Sequence, residues 1–145
     1  MFWEDIIEFK AWSPEKGEII YGDLLTPNDG GGGYEISDKR SFMGDVYEVD
    51  DNTIEMYSTF LDKNEKKLYT GDKVKFNCQE MFVTIKNGAF GLTCQEINYD
   101  RIVYEVLEQT GKHYNGCFRS NFISFFEIAE NYGILTNNLD MVEKI

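Results

Sequence analysis

Apolar and polar positions alternate with a period of two along much of this chain, the pattern of strands that bury one face of a sheet. In Ile6–Trp12, Ile7, Phe9 and Ala11 alternate with charged neighbours and would share one face. Ser13-Pro14-Glu15-Lys16-Gly17 is turn chemistry, because proline fixes φ and glycine admits a left-handed residue. Glu18-Ile19-Ile20-Tyr21 then reads as the returning strand of a hairpin. Val46–Val49, the polar step Asp50-Asp51-Asn52 and Thr53–Ser58 repeat the strand-turn-strand pattern. Leu61–Tyr69 is a polar turn with apolar ends, and Thr70-Gly71-Asp72 leads into Lys73–Phe76, where Val74 and Phe76 face inward and the lysines outward.

The clearest local signal is Asn87-Gly88 between Met81–Lys86 and Ala89–Cys94, since Asn-Gly supplies the positive φ values of a two-residue hairpin turn. Tyr99–Leu107 mixes β-branched residues with glutamates and fits a strand or a short helix. Asn121–Glu130 places Phe122, Phe125, Phe126 and Ala129 at helical spacing, with Gly133 positioned to end a helix, although a strand reading also stands. The pattern predicts a mainly β protein, hairpin-rich, with at most one or two short helices. One domain spanning 1–145 is expected, and a subdivision near 26–40 would set an N-terminal hairpin apart from the rest.

Composition agrees with a folded chain: 145 residues, 42% hydrophobic and 15% aromatic, are enough to bury a core without staples. The formal charge of −12 disfavours direct nucleic-acid binding, because phosphates would be repelled over most of the surface. Cys78, Cys94 and Cys117 are odd in number and widely spaced, which fits neither a disulfide framework nor a zinc motif and points to a reducing cytoplasm. Met1–Lys10 carries Glu4, Asp5 and Glu8 in place of a basic start and an apolar run, so no secretory signal is read there. No stretch approaches the ~20 apolar residues of a membrane span.

Candidate chemistry is sparse, and no catalytic, cofactor-binding or metal-binding residue is assigned. His113 is the sole histidine, placed between Gly111 and Gly116 in a loop, and no nucleophile or orienting acid pairs with it. Cys117 lies four residues on and is the best of three poor nucleophile candidates; Cys78 stands beside Glu80, which disfavours a thiolate, and all three read best as small packing residues. Asp50-Asp51 would sit in a turn facing water, and Asp62-Lys63-Asn64-Glu65 lacks the alternating ligands of a calcium loop. The glycine run Gly30-Gly31-Gly32-Gly33 lacks the helix and Lys-Ser/Thr that a phosphate loop needs, so it reads as a loop. Lys63, Lys66, Lys67, Lys73 and Lys75 concentrate positive charge, most simply as a solvated strand edge, alternatively as a site for an anionic partner.

Thr59–Val74, read as Thr-Phe-Leu-Asp-Lys-Asn-Glu-Lys-Lys-Leu-Tyr-Thr-Gly-Asp-Lys-Val, resembles the Leu-x-Asp-x-x-Gly-x-x-(Ile/Leu)-Tyr-x-Gly-Asp signature of the YopX family of phage and prophage proteins. Glu8–Ser13 is similar to that family's opening strand with its Ala-Trp pair, and Tyr132–Leu139 to its closing segment. Glu65 and Thr59 stand where the family has glycine, and Asp140 follows Leu139 without the usual Asn-Pro. The resemblance implies a largely β fold with a small SH3-like barrel and a phage setting, and it carries over no catalytic residue.

Three functions compete at this level. The first is a non-enzymatic phage accessory protein that binds another protein of host or phage, or a second copy of itself as a homo-oligomer. The second is an acidic mimic of DNA that occupies a host nucleic-acid-binding protein. The third is a small-ligand-binding protein or enzyme using the glycine-rich loop with His113 or Cys117.

Overall fold

The computed structural model describes residues 8–26, 33–118 and 121–145. The chain divides into two compact units, Met1–Tyr57 and Ser58–Ile145. The glycine run and the start of the first strand, including Ile7, lie outside the described residues, apart from Gly33.

In the first unit, β1 (Phe9–Ser13) and β2 (Glu18–Leu25) form the expected hairpin, with Ala11 opposite Ile20 and Trp12 opposite Ile19. Its turn closes through Gly17, whose φ of 71° suits glycine and whose N–H donates to Ser13 O at 2.8 Å. β3 (Glu35–Asp38) and β4 (Val46–Glu48) add to the free side of β2, and the opening residues of β5 (Glu55–Leu61) pair with β1. Alternation does the sorting: Ala11, Ile20 and Ile36 bury themselves with Val49, while Trp12, Ile19, Tyr21, Asp23 and Val46 take the other face. Gly22 is required where it stands, because a Cβ there would lie 1.8 Å from Ser37 O.

The second unit holds the rest of β5, β6 (Lys67–Tyr69) and an antiparallel five-stranded sheet. That sheet is built from β7 (Lys73–Phe76), β8 (Gln79–Lys86), β9 (Ala89–Thr93), β10 (Phe122–Ser124) and β11 (Val142–Lys144), in the order β10-β9-β8-β7-β11. Asn87 and Gly88, at φ 52° and 80°, form the expected hairpin turn between β8 and β9. Val74, Phe76, Met81, Leu92, Ile123 and Val142 supply the sheet's share of the core.

Both ambiguous segments resolve through capping. Tyr99–Thr110 is an α-helix, α1: Asn98 accepts from Arg101 N–H at its start, Gly111 closes it at φ 72°, and Ile102 and Val106 face the core one turn apart. Asn121–Glu130 contains both of the structures it suggested, β10 and then α2 (Phe125–Asn131), with Ser124 accepting from Glu127 N–H at the junction and Gly133, at φ 71°, just beyond its end.

Among the described residues the fold is mainly β, in two antiparallel sheets with two α-helices and one short 3-10 turn at Asp51–Thr53. The expected small SH3-like barrel is not confirmed, since neither sheet closes among the described residues. β10 runs directly into α2, and the outer side of β11 is taken by the turn after β5, where Lys63 N–H donates to Val142 O at 2.8 Å. The strand-edge reading of the lysine cluster is corrected in part: Lys67 opens β6, an end strand of the six-stranded sheet, but Lys73 and Lys75 sit on β7, an inner strand between β8 and β11, and face solvent from its outer face.

The Thr59–Val74 motif is a structural joint. Asp62 is fully buried; one carboxylate oxygen accepts from Asn64 and Lys66 N–H at 2.8 and 2.9 Å, and the other accepts from Lys144 N–H at 2.9 Å. Asp72 closes the second turn by accepting from Tyr69 N–H at 2.8 Å, while Leu68 and Tyr69 fill the core.

Candidate functional site

His113 and Cys117 are both exposed in the loop that follows α1, and the loop is clamped onto α2. The Glu127 carboxylate accepts the Tyr114 hydroxyl at 2.6 Å and Cys117 N–H at 2.9 Å. Asn131 accepts Asn115 N–H at 2.6 Å and donates back to Asn115 O at 2.8 Å. Burial, and then the hydrogen bond to Glu127, push the Tyr114 hydroxyl well above its ordinary pKa. Tyr99, Tyr114 and Phe118 meet with ring centroids 5.2 to 6.0 Å apart, a spacing that packs the rings against one another. Cys117 lines a hollow of about 220 Å³ with Lys86, Phe122, Ser124 and Glu127. Glu127 is thus the carboxylate next to Cys117, and it is committed to holding the loop.

A larger cleft, about 540 Å³, runs beside α1 and brings Lys63, Lys75 and Arg101 together with Glu105, Glu108, Asp140 and Glu143. Cys78 opens into it from a two-residue turn in which Asn77 and Cys78 have φ of 53° and 61°. The charged neighbour of its sulfur is Arg101, whose guanidinium lies 2.9 Å from Sγ, and not Glu80, which pairs with Lys73 at 3.1 Å. Cys78 and Cys117 are exposed, so the reading of these two as packing residues is overturned. Cys94 does pack against the core, and burial raises its thiol pKa. Asp50 and Asp51 serve turn chemistry: Asp50 accepts from Asn52 N–H at 3.0 Å and Asp51 from Tyr34 N–H at 3.0 Å.

Among the described residues of the first unit, the most exposed large apolar side chains lie in the turn between β3 and β4, where Phe42 is 100% and Met43 80% exposed. The turn is built, not frayed. Asp38 N–H donates to Asp45 O at 2.8 Å, Ser41 N–H to Asp38 O and Gly44 N–H to Ser41 O at 3.1 Å, and Asp45 N–H to the Ser41 hydroxyl at 3.2 Å. Its base carries buried Asp38, which accepts from Arg40 N–H at 2.9 Å and pairs with the Arg40 guanidinium at 3.3 Å and the Lys16 ammonium at 3.8 Å. Burial alone would raise the Asp38 pKa, but the two Arg40 hydrogen bonds and the nearby positive charges outweigh it and hold the carboxyl below its ordinary range. Glu18 joins the same network, pairing with Arg40 at 3.1 Å and Lys16 at 3.6 Å, and so ties the β1–β2 turn to the β3–β4 turn. Phe42 and Met43 were not singled out by sequence; the available signal was two large apolar residues between Ser41 and Gly44, where no strand or helix period could bury them.

The acid surplus is unevenly shared. Fourteen of the 26 Asp and Glu but only four of the 14 Lys and Arg fall in Met1–Tyr57, a formal net of −10, which leaves −2 for Ser58–Ile145. Each of those four cations is already in an ion pair: Lys10 with Glu55, Lys16 with Glu18 and Asp38, Lys39 with Glu8, and Arg40 with Glu18 and Asp38.

Fold and surface define a two-unit, mainly β protein with a hydrogen-bonded turn that exposes two apolar side chains on its acidic half. The chain belongs to the YopX family: the family model described as YopX protein matches residues 8–117. No curated protein matches it. The match takes in the opening strand and the Thr59–Val74 motif. No helix among the described residues is long and apolar enough to cross a membrane.

Proposed function

We propose that this chain is a phage or prophage accessory protein that works by binding another protein, inside the host cell and without catalysing a reaction. The observation that carries the reading is the β3–β4 turn, which holds Phe42 and Met43 in solvent on a hydrogen-bonded frame. Large apolar side chains contribute nothing to folding when fully exposed, and rigidly presented ones are the type of residue that anchors interfaces. Affinity capture with mass spectrometry during prophage induction tests it. A protein recovered with the native chain and lost with a Phe42→Ala, Met43→Ala double variant is the expected outcome; identical recoveries would reject the turn as the anchor.

A second reading, the acidic mimic that occupies a host nucleic-acid-binding protein, is supported by the concentration of negative charge in the first unit. It differs in requiring carboxylates alone, so removing the two apolar side chains would leave its binding intact.

A further inference from the structure

We infer that the outer face of the first sheet, with the Phe42-Met43 turn, is a docking surface for a protein segment that carries both basic and apolar side chains. This inference rests on the protein-binding reading above and names the partner's chemistry. Strand register places Trp12 directly opposite Ile19 on that face, and Val46 shares it. Trp12 and Ile19 are each 42% and Val46 43% exposed, so apolar area remains for a partner to cover. The same register puts Asp23, Glu35 and Glu48 on this face among apolar neighbours: Asp23 and Val46 flank Ser37, and Glu35 lies between Leu25 and Glu48. The face therefore interleaves apolar and acidic side chains.

Charge selects among occupants. A second copy would bring a net −10 against a net −10, and nucleic acid would bring phosphates, and both are repelled. The unit has four cations for fourteen acids, and all four are engaged in ion pairs within it, which leaves a surplus of negative charge that a basic segment can meet. A partner with lysines or arginines beside an aromatic or aliphatic anchor matches both kinds of side chain on the face.

The test is selection from a display library of random short peptides against the immobilised full chain, followed by affinity measurement on the enriched peptides. Enriched sequences are expected to combine Lys or Arg with an aromatic or aliphatic residue. Their affinity should fall about tenfold or more in the Phe42→Ala, Met43→Ala variant. It should also fall as salt rises from about 50 to about 300 mM, because exposed charge pairs are screened over that range. Phe42 is fully exposed, so the variant should keep the native circular dichroism. Enrichment of neutral or acidic peptides, or basic peptides indifferent to the double variant, would overturn the surface assignment and leave the protein-binding reading standing. A concentration-dependent dimer abolished by the same variant would show that a second copy is the occupant and overturn the basic partner. Failure to enrich any peptide, together with failure of the affinity capture, would overturn both.

Discussion

Five non-glycine residues have left-handed backbone among the described positions, and two of them, Thr59 at φ 70° and Glu65 at φ 63°, stand where the family resemblance places glycine. The family glycines are thus explained by conformation: both positions need a φ that a side chain resists, most of all a β-branched one. Glu65 is exposed, and its replacement removes no packing. Left-handed backbone costs a non-glycine residue ~1–2 kcal/mol, and glycine's greater loss of freedom on ordering returns ~0.5–1 kcal/mol of that gain. Glu65→Gly is therefore expected to stabilise the fold by about 0.5–1 kcal/mol, read as a rise in the thermal midpoint of roughly 2–4 °C. Asp62 is the opposite case. Asp62→Ala removes the shared acceptor of three backbone N–H groups, at Asn64, Lys66 and Lys144, and should cost roughly 2–3 kcal/mol in a denaturant titration. The sequence shows Asp62 as one polar residue in a polar turn; that it is the most buried carboxylate of the joint follows only from Lys144, 82 residues away.

Elements were legible where their signals are local and less so where tertiary contacts decide. Asn87-Gly88, Thr70-Gly71-Asp72 and the alternation in β1, β2 and β7 need only neighbouring residues, and the strands stand where that pattern puts them. Ile102-Val103-Tyr104 has strand propensity, but Asn98, Gly111 and a core that receives Ile102 and Val106 on one face favour helix. The turn that presents Phe42 was harder to read: its backbone frame and the Arg40–Asp38 pair are local, but its tie to Lys16 and Glu18 forms only when the β1–β2 and β3–β4 turns share one end of the sheet. Titration reports on both frames. The Asp38 carboxyl lies below its ordinary value of 3.8, so it favours the folded state above that value and loses this contribution as pH falls through the native pKa. Asp38→Asn should lower stability at pH 7 and flatten its fall below about pH 4, followed by denaturant midpoints across the acid range. Tyr114 has the opposite sign. Its hydroxyl lies above the ordinary 10.0, so its contribution is complete below pH 10 and is lost as pH rises and the unfolded chain ionises first. Tyr114→Phe should cost ~1 kcal/mol at pH 7 through the lost bond to Glu127 and should soften the alkaline fall above about pH 10.

At the scale of the whole molecule, the division of charge governs how the chain responds to salt. A compact unit of net −10 raises its own electrostatic energy on folding, and the four cations it owns are already placed against Glu8, Glu18, Asp38 and Glu55. The Ser58–Ile145 unit, at −2, has little such repulsion to relieve. Monovalent salt screens long-range repulsion more than it weakens close or half-buried pairs, because the Debye length shrinks to about 10 Å at 0.1 M. Raising sodium chloride from about 10 to about 300 mM is therefore expected to stabilise the protein, with the gain located in the first unit. Amide hydrogen exchange can locate it: protection of β1, β2 and β3 should increase with salt, while that of β7, β8 and β9 should change little. Equal gains in both sheets would show that the repulsion is not confined to the acidic half, and a loss would show that ion pairs such as Arg40 with Asp38 outweigh it. The same surplus that strains the free protein favours a basic partner, so salt should stabilise the unbound chain and weaken the complex. That opposition separates an acidic face used for docking from acidity that serves solubility alone, because solubilising charge predicts only the first effect.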